Sequence, residues 1–282
     1  MSPAPDSTVS AAPELVLEAG RSDAHYWRDL WRYRELFVFL TWRDLLVRYK
    51  QTAVGVAWAL LQPVLTTAVF WFFGWLVGIP DHDLPRPVLI LAAQLPWQFF
   101  ASSLSSSSNS LVSNANLISK VYFPRLIVPV SAVAVSLVDF LITAIVLAVL
   151  MAGFHIVPDW HIVALPGFIL IALGAALGAG LWLTALNVKY RDFRFVLPFI
   201  VQFGLYVSPV AFTSDIVPER WRTLYSLNPM VGVIDGFRWS LFGGKVGLNW
   251  TSVGLSVALV LVLLVSGVWY FRRTEKSFAD VI

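Results

Sequence analysis

Six hydrophobic runs of about membrane-spanning length recur along this chain of 282 residues, and they constrain its fold more than any motif does. A bilayer core is about 30 Å thick, so a spanning helix needs about 20 mainly apolar residues. The runs are continuous rather than alternating, which favours helices over the strands of a barrel. They predict an all-α polytopic membrane protein with six transmembrane helices, at about residues 54–79, 88–108, 126–151, 162–188, 195–212 and 253–271.

The composition agrees with a membrane protein and excludes several kinds of catalytic and metal site. Hydrophobic residues make up 58% of the chain and charged residues 13%, against about 25% charged in soluble domains. The absence of Cys excludes disulfides and thiolate catalysis, and no two of the four His residues have the i+3 or i+4 spacing of a helical metal site. Gly243, Gly244 and Lys245 lack the flanking residues of a phosphate-binding loop. The chain therefore carries no ATP site of its own, and no cofactor is expected in it.

The Lys and Arg residues predict the orientation. Fifteen of the 20 lie in the N-terminal stretch, in the connections after the second and fourth runs, and at the C-terminal end. The positive-inside rule therefore puts both termini in the cytoplasm. Residues 1–22 are expected to be a disordered cytoplasmic tail, since they carry no core pattern, and residues 274–282 form a second cytoplasmic tail.

Residues 23–51 have a different character, because apolar positions recur there at helical spacing between basic ones. They predict an amphipathic helix at the cytoplasmic interface, broken near Leu40 and Thr41. It serves either as a membrane anchor or as a docking surface for a cytoplasmic partner. The pattern does not distinguish these two roles.

A serine tract follows the second apolar run, from Ser102 to Ser110. Such tracts usually indicate linkers. Gly and Pro are absent from it, and small residues allow helices to approach closely in membranes. We therefore interpret the tract as a continuation of the second span. Gly174, Gly178 and Gly180 predict similar close packing of the fourth span.

Between the fifth and sixth spans, residues 215–245 are too apolar for a solvated loop and too interrupted to span. Pro218, the Asn228–Pro229 pair and Gly243–Gly244 divide them into two short helices, about 218–227 and 229–242. They predict a re-entrant helical hairpin on the external side. Re-entrant backbone is tolerated where protein or a water-filled cavity covers it.

Aromatic residues and one acid are the candidate functional groups within the membrane. Aromatic rings can stack on sugars, and they can also simply anchor helices at the membrane interface. Asp139 lies near the middle of the third span, where a carboxylate is either functional or a hydrogen-bonded packing residue. The candidate pathway residues are Trp71, Phe72, Trp75, Phe203, Tyr206, Phe212 and Trp221.

Five segments together resemble one family. They are RDLLVRYKQTAVGVAWALLQPV (43–64), LPWQFFASSLSSSSNSLVSNANLISKVYFPRLIVP (95–129), NVKYRDFRFVLPF (187–199), SPVAF (208–212) and LNPMVGVIDGFRWSLFG (227–243). In this order they are similar to the permease subunit of type-2 ABC exporters, within the O-antigen and teichoic-acid polysaccharide export branch. The resemblance covers about residues 26–273.

The resemblance implies a homodimer of six-span permeases in the bacterial cytoplasmic (inner) membrane. Two cytoplasmic ATPase subunits would bind the ATP and Mg, and the cargo would be a glycan linked to undecaprenyl pyrophosphate. Membrane lipids are expected partners and nucleic acid is not. A short cytoplasmic coupling helix, at about 112–123, would contact the ATPase. Its candidate contact residues are Asn114, Asn116, Leu117, Lys120, Tyr122, Phe123 and Arg125.

Two other functions remain as alternatives. One is the permease of a related type-2 exporter for drugs or small lipids. The other is a membrane-embedded glycosyl or phosphoryl transferase, which would need acidic or His clusters at a membrane face. The sequence offers only scattered single acids such as Asp192, Asp215 and Asp235.

Overall fold

The computed structural model describes residues 23–50, 53–78, 84–190, 192–276 and 278 of the chain. The predicted disordered tail at 1–22 lies outside these residues, as do residues 277 and 279–282 of the predicted C-terminal tail. Two 3₁₀ turns, at Trp160–Ala164 and Ser214–Ile216, accompany the α-helices. The α-helices are α1 (Asp23–Arg32), α2 (Arg34–Lys50), α3 (Ala53–Val77), α4 (Arg86–Ser113), α5 (Ala115–Lys120), α6 (Ile127–Gly153), α7 (Leu165–Lys189), α8 (Phe193–Val207), α9 (Glu219–Tyr225), α10 (Pro229–Leu241) and α11 (Trp250–Glu275).

The helical membrane architecture is confirmed at the level of fold class. The described residues contain no strand, and five of their helical segments are long and apolar enough to cross a membrane. These segments are Leu60–Val77, Arg86–Ser113, Ile127–Gly153, Trp160–Lys189 and Trp250–Glu275. The count of six spans stays a prediction, because the helix at the fifth predicted span is shorter than these.

That shorter helix is α8, which is apolar and has 15 residues. At 1.5 Å per residue it is about 22 Å long, less than the thickness of a bilayer core. The sequence pattern extended it to residue 212, whereas it ends at Val207. Ser208 precedes Pro209 and is extended, with ψ of 152°, because the proline ring disfavours helical backbone in the residue before it.

Helix α4 lies at the centre of the bundle and contacts α3, α6, α7, α8 and α10. The serine tract continues this helix, as the sequence predicted. Ser103, Ser107 and Ser108 are buried, and the Ser107 hydroxyl lies 3.3 Å from the Thr184 hydroxyl of α7. The Asn187 amide donates to the Ser108 carbonyl at 2.9 Å. Small polar side chains thus allow α4 and α7 to pack closely, with hydrogen bonds between them at Ser107 and Ser108.

Helices α7 and α11 pack closely at their glycines. A Cβ added at Gly178 would lie 2.7 Å from the Leu263 carbonyl carbon, and one added at Gly267 would lie 2.5 Å from the Gly178 carbonyl oxygen. Since real Cβ atoms do not approach backbone so closely, only glycine fits at both positions. The glycines that the sequence singled out are therefore packing residues.

The two ends of the bundle differ. We call the end that carries α5 and the last turns of α4, α7 and α11 the basic end, and the end that carries α9 and α10 the hairpin end. At the basic end, side chains of α2, α4, α5, α7 and α11 form a buried apolar cluster that includes Leu40, Leu111, Ile118, Val188 and Phe271. At the hairpin end, helix α10 lies beside the first turns of α4, α7 and α11. Residues of α10 contact all three of these helices.

Three local predictions need correction. The N-terminal helix is not broken at Leu40 and Thr41: α2 continues there, with the Thr41 hydroxyl donating to the Phe37 carbonyl at 2.9 Å, and the interruption lies at Tyr33. The predicted coupling helix at 112–123 is not one helix either. It consists of the end of α4, a turn at Asn114, the six-residue α5, and extended backbone from Val121 onward. The hairpin helices are slightly shorter than predicted, at Glu219–Tyr225 and Pro229–Leu241.

Candidate transport surfaces

The segment between α4 and α6, residues 114–125, lies at the basic end and divides into an exposed and an anchored part. Asn116, Lys120 and Tyr122 are exposed, and Tyr122 has 71% of its surface accessible. Leu117 is half-buried and Phe123 is buried, so both serve packing in this chain. The exposed residues are therefore the ones available to a partner.

Two polar contacts fix the ends of this segment. The Arg43 guanidinium of α2 donates to the Asn114 side-chain oxygen at 2.8 Å, and the Asn114 amide donates to the Ser110 carbonyl at 2.9 Å. At the other end, the Arg125 backbone N–H donates to the Glu275 carboxylate at 2.8 Å. Asn114 and Arg125, both candidates for contacting a partner, also hold this segment against α2 and α11.

Helix α1 is attached to the same end of the bundle. The Arg272 guanidinium lies 4.4 Å from the centre of the Tyr26 ring, a cation–π contact. Burial and the nearby Glu275 carboxylate raise the pKa of the Tyr26 phenol above its usual range, so that this side chain stays neutral. The N-terminal helices, α5 and the end of α11 thus form one connected surface.

The aromatic candidates of the first span lie on an outward face of α3. Trp71, Phe72 and Trp75 are 48%, 52% and 66% exposed, and the Phe72 and Trp75 ring centres are 6.3 Å apart. Trp71 and Trp75 also line a cleft of about 350 Å³ with Arg86 and Phe154 among its other walls. Rings exposed to this degree are not part of the core of their own chain.

The remaining aromatic candidates are on other elements. On α8, Phe203 and Tyr206 are 58% and 61% exposed, and Phe203 stacks on Phe199 with ring centres 6.0 Å apart. Trp221 of α9 is exposed, whereas Phe212 is half-buried and lies 6.4 Å from the Tyr225 ring. The structure therefore places the candidates on three helices, α3, α8 and α9, and on the connection that contains Phe212.

Asp139 has two partners that the sequence did not indicate. The Arg48 guanidinium and the Tyr49 hydroxyl, both near the end of α2, donate to its two carboxylate oxygens. Burial and the bond to Asp139 raise the pKa of Tyr49 above its usual range, which keeps it a neutral donor. These contacts fix α2 to the middle of α6. They give Asp139 a structural role, which the sequence reasoning had left open beside a functional one.

Arg238 is the functional candidate that the sequence missed. It is one of the five Lys and Arg residues outside the stretches that hold the other fifteen, yet it is 1% exposed. Its guanidinium donates to the Leu89 carbonyl at 3.1 Å, the Phe212 carbonyl at 2.8 Å and the Val210 carbonyl at 2.9 Å. The available signal was an Arg three residues after Asp235 on an otherwise apolar helix, since buried charges require partners.

Metal binding has no support among the side chains that the structure describes. No group of three or more His, Asp or Glu residues among them is arranged to hold an ion. Charged groups there instead pair with one another or with backbone, as the Arg238 and Asp139 contacts illustrate.

Comparison with known proteins finds one family and several transport proteins that are similar to this chain. The ABC-2 type transporter family matches residues 35–242. An O-antigen export system permease protein RfbA of Klebsiella pneumoniae is 29% identical over 254 residues, which cover 88% of this chain and 95% of the relative. The RfbA permease of Myxococcus xanthus is 29% identical over 90% of this chain and 98% of its own. The polysialic acid transport protein KpsM of Escherichia coli is 24% identical over 83% and 92%.

Proposed function

Since this chain belongs to the ABC-2 type transporter family, we propose that it forms the membrane channel of an ATP-driven exporter for a lipid-linked polysaccharide. The cargo is a glycan such as O-antigen, carried on undecaprenyl pyrophosphate across the bacterial cytoplasmic membrane. A separate pair of ATPase subunits binds ATP and Mg at the cytoplasmic side. The basic end of the bundle faces the cytoplasm, as the positive-inside rule requires.

One observation carries this proposal. Three relatives that cover between 83% and 90% of this chain are named as O-antigen or polysialic acid transport proteins. These names favour a polysaccharide over a drug or a small lipid. The exposed rings of α3 and α8 suit such a cargo, because aromatic faces stack on sugar rings without holding any one of them strongly. A channel for a long polymer needs weak, repeated contacts, since tight sites would stall conduction.

A second copy of the chain is the proposed partner for α3 and α8. Helix α8 has one buried residue, Leu197, among its 15, so its own chain contributes little packing to it. The α3 segment Leu60–Val77 is also mostly unburied. Two copies placed with these helices facing each other would give both of them neighbours. The aromatic rings would then line a path between the copies.

The substrate is tested by depleting the protein in its native host. The proposal predicts loss of surface polysaccharide, with lipid-linked glycan accumulating on the cytoplasmic side of the membrane. Re-expression of the parental chain should restore the surface glycan. Unchanged surface polysaccharide in fully depleted cells, with no accumulated precursor, would exclude this function.

Docking of the ATPase is tested at the exposed part of residues 114–125. Val121 and Tyr122 are exposed there, so Val121→Asp with Tyr122→Asp changes the surface without disturbing the core. The complex is purified from native membranes through a tag on this chain, and the co-purified ATPase activity is measured. We expect that activity to be lost. Val157→Asp is the matched control, because Val157 is exposed on the connection between α6 and α7. Equal ATPase activity in both variants would refute the docking site.

A further inference from the structure

The exposed part of residues 114–125 includes a stretch without regular backbone. Helix α5 ends at Lys120, and the chain is extended at Val121. The last hydrogen bond of this helix runs from the Val121 N–H to the Leu117 carbonyl at 3.1 Å. Val121 and Tyr122 are 50% and 71% exposed. Because these two residues follow the helix, contacts with other parts of the chain must set the direction of their side chains.

Apolar contacts hold this stretch against the end of α11. Phe123 and Leu126 are buried in the same cluster as Phe271 and Phe278, and the ring centres of Phe271 and Phe278 are 5.3 Å apart. Apolar burial is non-directional, because it depends on the area removed from water. It keeps the stretch in place but does not by itself fix the rotation of a backbone that lacks helical hydrogen bonds.

Glu275, the last residue of α11, supplies directional bonds to this stretch. Its carboxylate accepts from the Arg125 backbone N–H at 2.8 Å, and its backbone carbonyl accepts from the Arg125 guanidinium. Carbonyls in the last turn of a helix have no partner within the helix, and a cation beside them is favourable. Each of the two residues therefore satisfies a backbone group of the other, although they lie 150 positions apart.

The same carboxylate also lies beside the N-terminal helix. The Tyr26 phenol of α1 is next to it, and the Arg272 guanidinium, one turn earlier on α11, lies 4.4 Å from the centre of the Tyr26 ring. Arg125 precedes α6 by two residues, and its carbonyl accepts from the Val128 N–H at 3.2 Å. Glu275 thus joins α1, the start of α6 and the end of α11 at one point.

The other end of residues 114–125 is fixed in a different way. Asn114 lies between α4 and α5, and its amide donates to the Ser110 carbonyl of α4 at 2.9 Å. Helices on both sides therefore set the direction of the backbone there, and the bond from Arg43 adds to them. At the Arg125 end, by contrast, the acceptor of the backbone N–H is a side chain from another helix.

We propose that Glu275 is a positioning residue that holds the Arg125 backbone and so sets the direction of Val121 and Tyr122, the side chains on which the ATPase docks. The inference rests on the proposed function, in which the ATPase contacts the exposed part of residues 114–125. The required group is an acceptor oxygen within hydrogen-bond distance of the Arg125 nitrogen. Glutamine carries such an oxygen at the same length of side chain, whereas aspartate keeps the charge but withdraws the oxygen by one methylene group.

Spin labels on the full, Cys-free chain in nanodiscs measure this direction without ATPase or glycan. Val121→Cys is paired with Val262→Cys on α11, both at exposed positions, and labelled copies are diluted with unlabelled ones. We expect a narrow distance distribution in the parental chain and in Glu275→Gln, and a broader or shifted one in Glu275→Asp and Glu275→Leu. If Glu275→Leu does not fold, the glutamine and aspartate variants still decide, because equal distributions in these two would refute the positioning role.

A second pair of labels separates positioning from general support of the fold. Val157→Cys with Val262→Cys is the control, because Val157 is exposed on the connection between α6 and α7. This distance should stay parental in every Glu275 variant. Broadening of both pairs to the same degree would overturn the proposal, since it would show that Glu275 supports the whole chain.

The consequence for docking is measured on the complex purified from native membranes through a tag on this chain. We expect the co-purified ATPase activity to fall several-fold in Glu275→Asp and to stay near the parental level in Glu275→Gln. Loss of activity in both variants alike would overturn the proposal, because a need for the charge does not predict rescue by glutamine. Distances that change as expected beside parental ATPase activity would refute the docking step. The complex with Val121→Asp and Tyr122→Asp tests the docking site separately, so the two failures are distinguishable.

Discussion

Helices α8 and α10 have similar length and are both apolar, yet they differ sharply in how much of each is buried in the chain. Helix α10 buries 11 of its 13 residues, whereas α8 buries one of its 15. The difference lies in the residues between the apolar ones. Helix α10 contains Gly232, Gly236 and Arg238, which allow close backbone approach and buried hydrogen bonds. Helix α8 instead presents large aromatic rings.

This contrast shows what hydrophobicity cannot distinguish in a membrane protein. A lipid-facing helix, a partner-facing helix and a fully buried helix can all be equally apolar, because lipid tails are as apolar as a protein core. Small residues and buried polar groups identify the helix that is packed inside its own chain. Exposed aromatic rings face either lipid or another protein surface, so they do not distinguish between these two environments.

The largest effect is expected where close packing forbids any side chain. A Cβ at Gly232 would lie 2.9 Å from the Ser252 carbonyl oxygen and 2.5 Å from the Ser256 hydroxyl. Gly232→Ala should therefore force α10 and α11 apart and destabilise the protein by about 1–3 kcal/mol, as overpacking does. Thermal unfolding of the purified protein in nanodiscs measures this loss of stability. Gly254→Ala is the control, since nothing lies within 4 Å of its added Cβ. Unfolding temperatures that fall equally in both variants, or not at all, would contradict the close packing of α10 against α11.

An intermediate effect is expected at the aromatic surface of α3, on export rather than on stability. Single Ala substitutions at Trp71, Phe72 or Trp75 should slow export only a few-fold, since each stacking contact contributes about 1 kcal/mol. The triple variant should reduce export much more, while its unfolding temperature stays near the parental value because these rings are about half exposed. Surface polysaccharide and thermal unfolding are measured on the same variants. A stable triple variant that exports at the parental rate would make these rings lipid anchors.

The smallest effect is expected at Asp139 and Arg48, an ion pair that is partly exposed. A partly exposed ion pair contributes at most about 1 kcal/mol, and Asp139 also accepts from the Tyr49 hydroxyl. Asp139→Leu alone and Asp139→Leu with Arg48→Met should therefore both unfold slightly below the parental temperature, with losses of stability that differ by less than about 1 kcal/mol. A double-mutant cycle by thermal unfolding measures the coupling. If the double variant keeps its stability but loses export, Asp139 has a functional role that pairing does not explain.

Several features of the fold could be predicted because they depend on local pattern. The serine tract was placed within α4 because it lacks Gly and Pro, and α4 does continue to Ser113. The two hairpin helices follow from Pro218, the Asn228–Pro229 pair and the Gly243–Gly244 turn. Both of these glycines have positive φ, at 59° and 76°, which is the conformation that only glycine adopts without strain.

The residues that the sequence missed depend on contacts between distant parts of the chain. Arg238 binds the Leu89 carbonyl 149 positions away, and Arg48 binds Asp139 91 positions away. No periodicity encodes such pairs. The exposed aromatic rings present a related difficulty. Their spacing predicts the face of the helix on which they lie. The sequence of one chain does not encode whether lipid or another protein covers that face.

The central claim is that α3 and α8 face a second copy of the chain, while the aliphatic surface of α11 faces lipid. Three valines test it directly in the Cys-free protein: Val69 on α3, Val196 on α8 and Val262 on α11, which are 51%, 45% and 65% exposed. Each is changed to Cys, and the native complex in membranes is treated with a short bifunctional thiol reagent. We expect covalent dimers for Val69→Cys and Val196→Cys and monomers for Val262→Cys. Dimers trapped at Val262 alone would contradict it.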